Sequence, residues 1–64
     1  MSKYNYASAE TIVNMIREKA LAFVEETSKD VSVVVGLNYI AGAAKMANII
    51  IDEMQKEDDV DGQT

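Results

Sequence analysis

Two stretches of this chain repeat apolar residues at helical spacing, and the second stretch does so on two sides. In the first, Ala9, Ile12, Val13, Ile16, Ala20, Phe23 and Val24 fall within about 120° of one another at 100° per residue, a single amphipathic stripe. The opposite face holds Glu10, Asn14, Arg17, Glu18 and Glu25. Ser8 is the expected N-cap, and Glu10 follows in the first turn, where the helix dipole favours a carboxylate. Glu25 and Lys29, four apart in the favourable order, would support the last turn. The polar run Thr27-Ser28-Lys29-Asp30 then reads as a break, with Ser28 or Asp30 able to cap a second helix. The pattern predicts a first helix over about 8–28.

The second stretch is the dominant feature of the sequence. Val31–Ile51 reads VSVVVGLNYIAGAAKMANIII and carries one charge, Lys45. Val33, Leu37, Ile40, Ala44, Ala47, Ile51 and Met54 alternate by fours and threes and share one face, as in a coiled-coil seam. A second apolar set, Val35, Tyr39, Met46 and Ile50, lies on another side of the same helix. Only a narrow polar strip, Asn38, Lys45 and Asp52 with Asn48 and Lys56 beside it, separates the two. The predicted helix spans about 31–57. One neighbouring helix can cover one of its faces, so something else must cover the other.

Two local features compete with a single long helix. Gly36 and Gly42 each cost about 1 kcal/mol of helix propensity relative to alanine, so either is a candidate break. The β-branched run Val31–Val35 also suits a strand, although no partner strand is evident beyond Lys3–Tyr6. The small residues Gly36, Ala41, Gly42, Ala43, Ala44 and Ala47 would let another helix approach closely.

Charge is concentrated at one end. The net charge of −5 arises from 6 basic and 11 acidic residues. The body to residue 51 is balanced, and the excess lies in Asp52, Glu53, Glu57, Asp58, Asp59 and Asp61 against Lys56. Residues 58–64 are expected to form a solvated, disordered acidic tail. A nucleic-acid binder needs a basic stripe, and none is visible. Glu57–Gly62 places acids at positions one, three and five of a calcium loop with glycine at six. Such a loop needs six residues after the glycine, ending in a bidentate glutamate, and the sequence continues for only two, so a closed calcium loop is not expected.

Composition narrows the chemistry. With 64 residues, one domain is the limit, and chains of this size bury only about 60% of their unfolded surface. There is no cysteine or histidine, so disulfides, thiolate or imidazole metal sites and the usual nucleophile–base pairs are excluded. No glycine-rich phosphate loop is present. Neither catalytic, cofactor nor metal residues are expected. Self-association, or very good helix packing, is the remaining way to stabilise so small a core.

The expected architecture is all-α: a helical hairpin that self-associates into a four-helix-bundle-like homodimer. In shape it resembles the small plasmid copy-number proteins that dimerise as helical hairpins and bind RNA. This chain lacks their basic helix face, so RNA binding is not implied. The self-association residues are expected to be Val35, Tyr39, Met46 and Ile50. A protein partner is expected at Leu21 and Arg17 on the outer face of helix one, or at an arm carrying Tyr4 and Tyr6.

The functional expectation is a small, non-enzymatic, cytoplasmic interaction module: a regulator, adaptor or inhibitor of the kind phages and mobile elements encode. The N-terminal MSKYNYASAET lacks the apolar region of a secretory signal, which supports the cytoplasmic assignment. A single-span membrane peptide is the second reading, because Val31–Ile51 has bilayer-spanning length. Lys45, inside that stretch, counts against it at about 2.5–3.5 kcal/mol for a central lysine. An acidic nucleic-acid mimic or weak nucleic-acid-linked regulator is the third.

Overall fold

The computed structural model describes the backbone of residues 4–62 and the side chains of residues 4–59. Two helices, α1 (Tyr6–Glu26) and α2 (Val31–Gly62), pack against each other as an antiparallel hairpin. At 1.5 Å per residue, the 32 residues of α2 span about 48 Å, which sets the long axis of a rod measuring 54 × 15 × 11 Å.

Helix α1 starts two residues earlier than the pattern predicts. Asn5, not Ser8, is its N-cap: the Asn5 Oδ1 accepts a hydrogen bond from the Ser8 backbone N–H at 3.0 Å. The helix ends at Glu26, so Lys29 lies in the turn and not in a last helical turn with Glu25. The Thr27 N–H and its side-chain Oγ1 both donate to the Phe23 carbonyl, at 2.9 and 2.7 Å, closing the C-terminus. Asp30 then caps α2: its Oδ1 accepts from the Val33 N–H at 3.2 Å, and its carbonyl accepts from the Val34 N–H at 3.0 Å.

Neither glycine breaks α2, and Val31–Val35 is helical. A Cβ at Gly36 or Gly42 would meet nothing within 4 Å, so no packed neighbour requires a glycine at either position. Helix α2 also continues five residues past its expected end, through the acidic segment to Gly62. Asp58 is half-buried and accepts a hydrogen bond from the Tyr6 hydroxyl at 3.2 Å. The segment expected to be a solvated tail therefore begins with a residue docked on the start of α1. Residues 63 and 64 of that expected tail lie outside the described residues.

The helices meet along a seam of small side chains. The buried residues are Tyr6, Ala20, Ala41 and Ala44, with no large side chain fully buried among the described residues. Half-buried Ala9, Val13 and Val24 of α1 and Val34, Leu37, Ala47 and Ile51 of α2 flank them. Alanine at the contact brings helix axes close, and the bulkier residues stay outside. The predicted α2 seam is consequently rotated. Leu37, Ala44, Ala47 and Ile51 pack inward as expected, whereas Val33, Ile40 and Met54 are exposed and Ala41 and Asn48 turn in.

Deleting residues 58–64 should lower the thermal midpoint by several degrees, because it removes the Tyr6 anchor. Tyr6→Phe, which loses only the hydroxyl, should cost about 0.5–1.5 kcal/mol. Thermal unfolding followed by circular dichroism measures both. An unchanged midpoint in the deletion would show that the end of α2 contributes nothing.

Candidate interaction site

Part of the exposed apolar surface gathers on one side of the hairpin, while Met15, Leu21, Val31, Val35 and Ile49 lie elsewhere. On α1, Ile12, Ile16 and Phe23 form the outer half of the amphipathic stripe, of which only the inner half (Ala9, Val13, Ala20 and Val24) meets α2. On α2, Ile40, Ala43, Ile50 and Met54 are exposed and lie on the side of the helix turned toward that outer half. An antiparallel pair has two flanks, one on each side of its seam, and these residues of both helices fall on the same one. A groove of about 290 Å³ marks that flank: Val13 and Ile16 line it together with Tyr39, Ile40, Ala43, Ala44 and Ala47. No charged residue lines it.

The other flank is polar. There Glu10 and Arg17 of α1 and Lys45, Asn48, Ile49 and Asp52 of α2 line a groove of about 330 Å³. Asn48 Nδ2 donates to Asn14 Oδ1 at 2.7 Å, linking the helices. Asn48 Oδ1 and Glu10 Oε1 are buried without a hydrogen-bond partner among the described residues. The hairpin therefore has two unlike sides: an apolar flank built from both helices and a polar flank carrying the charges.

The residues predicted for self-association are all exposed on α2: Val35, Tyr39, Met46 and Ile50. Tyr39 lines the apolar groove, and Ile50 lies beside it. Tyr39 and Met46 also border a second hollow with Asn38, Gly42 and Ala43 farther round the helix. Val35, at 100° per residue, stands on the side of α2 opposite the alanine seam. Helical spacing on α2 alone picks out this set; Ile12, Ile16 and Phe23 on α1 are also exposed, although the sequence assigns their whole stripe to the hairpin core.

The residues predicted for a protein partner fare differently. Arg17 and Leu21 are exposed on or beside the polar flank. Tyr4 is exposed, but Tyr6 is buried, packed edge-on against the Tyr4 ring at 5.9 Å between centroids. Tyr6 is thus an anchor of the hairpin and not part of a projecting arm. Its place is readable in hindsight from the spacing Tyr6, Ala9, Val13, which continues the α1 stripe backward.

Comparisons with protein-family models, with curated proteins and with solved structures return no match. Function must be read from the surface itself.

Burying the Asn48 carboxamide with one unsatisfied oxygen is costly, and a leucine there would remove the cost along with the bond to Asn14. Asn48→Leu should leave the thermal midpoint unchanged or raise it. A loss of several degrees would mean that the Asn14–Asn48 pair is a net stabiliser of the hairpin.

Proposed function

We propose that this chain is a small, non-enzymatic interaction module that acts as a homo-oligomer, with a second copy covering the apolar flank. The observation that carries this reading is the inversion of the core: alanines are inside, and isoleucines, phenylalanine and methionines are outside. A two-helix unit with a core of three alanines and one tyrosine buries too little to be stable alone. Surface area supports the same reading. A compact 7.0 kDa protein is expected to expose about 4,000 Å², whereas this chain exposes 5178 Å². The excess, roughly 1,100 Å² spread over all faces and both ends of the rod, is of the same order as the ~800 Å² that each partner contributes to a standard stable interface.

In such an oligomer the polar flank remains outward. Arg17 and Leu21 there offer a charged and an apolar contact to a further protein, the arrangement of a small hot spot. That further partner is what a regulator, adaptor or inhibitor in the cytoplasm would engage. No charge on the apolar flank suggests an ionic or nucleic-acid ligand.

One observation favours a second reading. Helix α2 from Val31 to Asp59 is long and apolar enough to cross a membrane, and only 11% of its most apolar window is buried in the hairpin. Lipid is the alternative cover for that surface. Against it, the exposed apolar surface includes α1 residues, and Lys45 with Asp52 gives α2 a polar side. A span over Val31–Ile51 would have to bury Lys45 in lipid.

Light scattering coupled to size exclusion should give a mass of twice 7.0 kDa, or a larger closed multiple, at micromolar concentration. Ile16→Glu, which places a charge in the apolar flank, should dissociate and largely unfold the protein. A stable folded monomer contradicts the proposal. Recovery of the native protein in the membrane fraction after carbonate washing would favour the lipid reading.

A further inference from the structure

Resting on the self-association just proposed, we infer that the second copy docks by a two-fold axis parallel to the helices. Both hairpin turns then lie at the same end, and α1 of one copy packs on α2 of the other. Two flank-to-flank arrangements obey two-fold symmetry. In one, the axis runs along the bundle and pairs α1 with the partner's α2. In the other, the axis is perpendicular to the helices and pairs like with like, turns at opposite ends.

The side chains discriminate between them. The apolar α1 contribution to the flank is bulky throughout (Ile12, Ile16 and Phe23), whereas the α2 contribution alternates small residues (Gly36, Ala43 and Ala47) with bulky ones (Tyr39, Ile40, Ile50 and Met54). Pairing unlike helices sets knobs against holes. Pairing like helices sets three bulky residues against the same three.

Height fixes the match further. The cross-helix pairs Asn14–Asn48 and Tyr6–Asp58 show which residues stand level in the hairpin. By the Asn14–Asn48 alignment Ile16 is level with residue 46, and Phe23 with residue 39. A two-fold axis along the bundle permits no sliding, so each α1 side chain keeps its height when it meets the partner's α2. Ile16 then falls into the hole made by positions 43, 46, 47 and 50, and Phe23 into the hole made by 36, 39, 40 and 43. Both are the i, i+3, i+4, i+7 diamond that receives a knob in helix packing. Ile12, level with residue 50, falls likewise into the hole at 47, 50, 51 and 54.

On the alignment set by Asn14–Asn48, in the middle of the rod, three knobs meet three holes; the Tyr6–Asp58 pair at the end of the rod is offset from it by two residues, about 3 Å. The open space at Gly36, where a Cβ would meet nothing within 4 Å, becomes the floor under the second copy's Phe23. Tyr39, Met46 and Ile50 become walls of these holes.

The chain has no cysteine, so single cysteines report cleanly on proximity. Ile16→Cys and Ala47→Cys proteins, one of them carrying a tag that separates mixed from like pairs, would be prepared alone and together and oxidised. Mixed-pair cross-linking should dominate, with little in either protein alone. In parallel, Gly36→Leu should raise the dimer dissociation constant by about tenfold or more, the usual cost of overpacking. Gly42→Leu, equally open but on the far side of α2, should leave it unchanged.

A dimer in which Ala47→Cys links to itself, or in which the mixed pair does not form, overturns this arrangement while leaving self-association intact. So does a Gly36→Leu dimer as tight as the original. A monomer by light scattering removes both this arrangement and the reading beneath it.

Discussion

The close approach of α1 and α2 along an alanine seam governs everything else in this molecule. Ala20, Ala41 and Ala44 are small enough to let the helix backbones draw together, and the Asn14–Asn48 hydrogen bond crosses between the helices on the polar side. Such a seam is narrow. It covers one strip of each helix and leaves the larger apolar residues on its rim. A pair of helices separated by leucines would have hidden Ile16, Ile40 and Phe23 between them. This pair does not, and those residues face outward.

That geometry gives the two flanks distinct physical roles. The polar flank holds Glu10, Arg17, Lys45 and Asp52, both signs interspersed, a surface that remains hydrated. The apolar groove is lined by no charged residue, and covering its flank removes part of the remaining hydrophobic area from water. At roughly 25 cal/mol per Å², burying about 800 Å² of largely apolar surface outweighs what three alanines contribute. The ends of the rod are secured separately. Tyr6 and Asp58 join the start of α1 to the last turns of α2, and the Thr27 and Asp30 caps close the turn. The hairpin is thereby held in one alignment, the condition for its flank to present a fixed pattern of knobs and holes.

Much of this fold is legible in the sequence. The polar run Thr27–Asp30 marks the turn, the side chain of Asp30 marks the start of α2, and the excess of apolar positions on α2 signals a surface beyond the reach of α1. The illegible part stems from the distance between the helices. Two four-three repeats on α2 share Leu37, Ala44 and Ile51 and differ in the column between them, Val33, Ile40 and Ala47 in one and Val34, Ala41 and Asn48 in the other, which turns the face by about 50° around the helix. Hydrophobicity favours the first; close packing selects the second and brings Asn48 inward. The same preference for small residues at the contact moves Ile12, Ile16 and Phe23 from the expected core to the flank. Asp58 escaped notice because charge argues for solvent, while its spacing of seven from half-buried Ile51 places it on the packed face.

On the proposed reading, the hairpin is stable only with its apolar flank covered by another copy and must fold and associate in a single event. Thermal unfolding measured by circular dichroism over a hundred-fold range of protein concentration tests this most directly. Coupled folding and association require the midpoint to rise steadily with concentration, since mass action favours the associated state. A cooperative transition with a midpoint independent of concentration would contradict the account, because it would show that the lone hairpin is stable with its apolar flank in water.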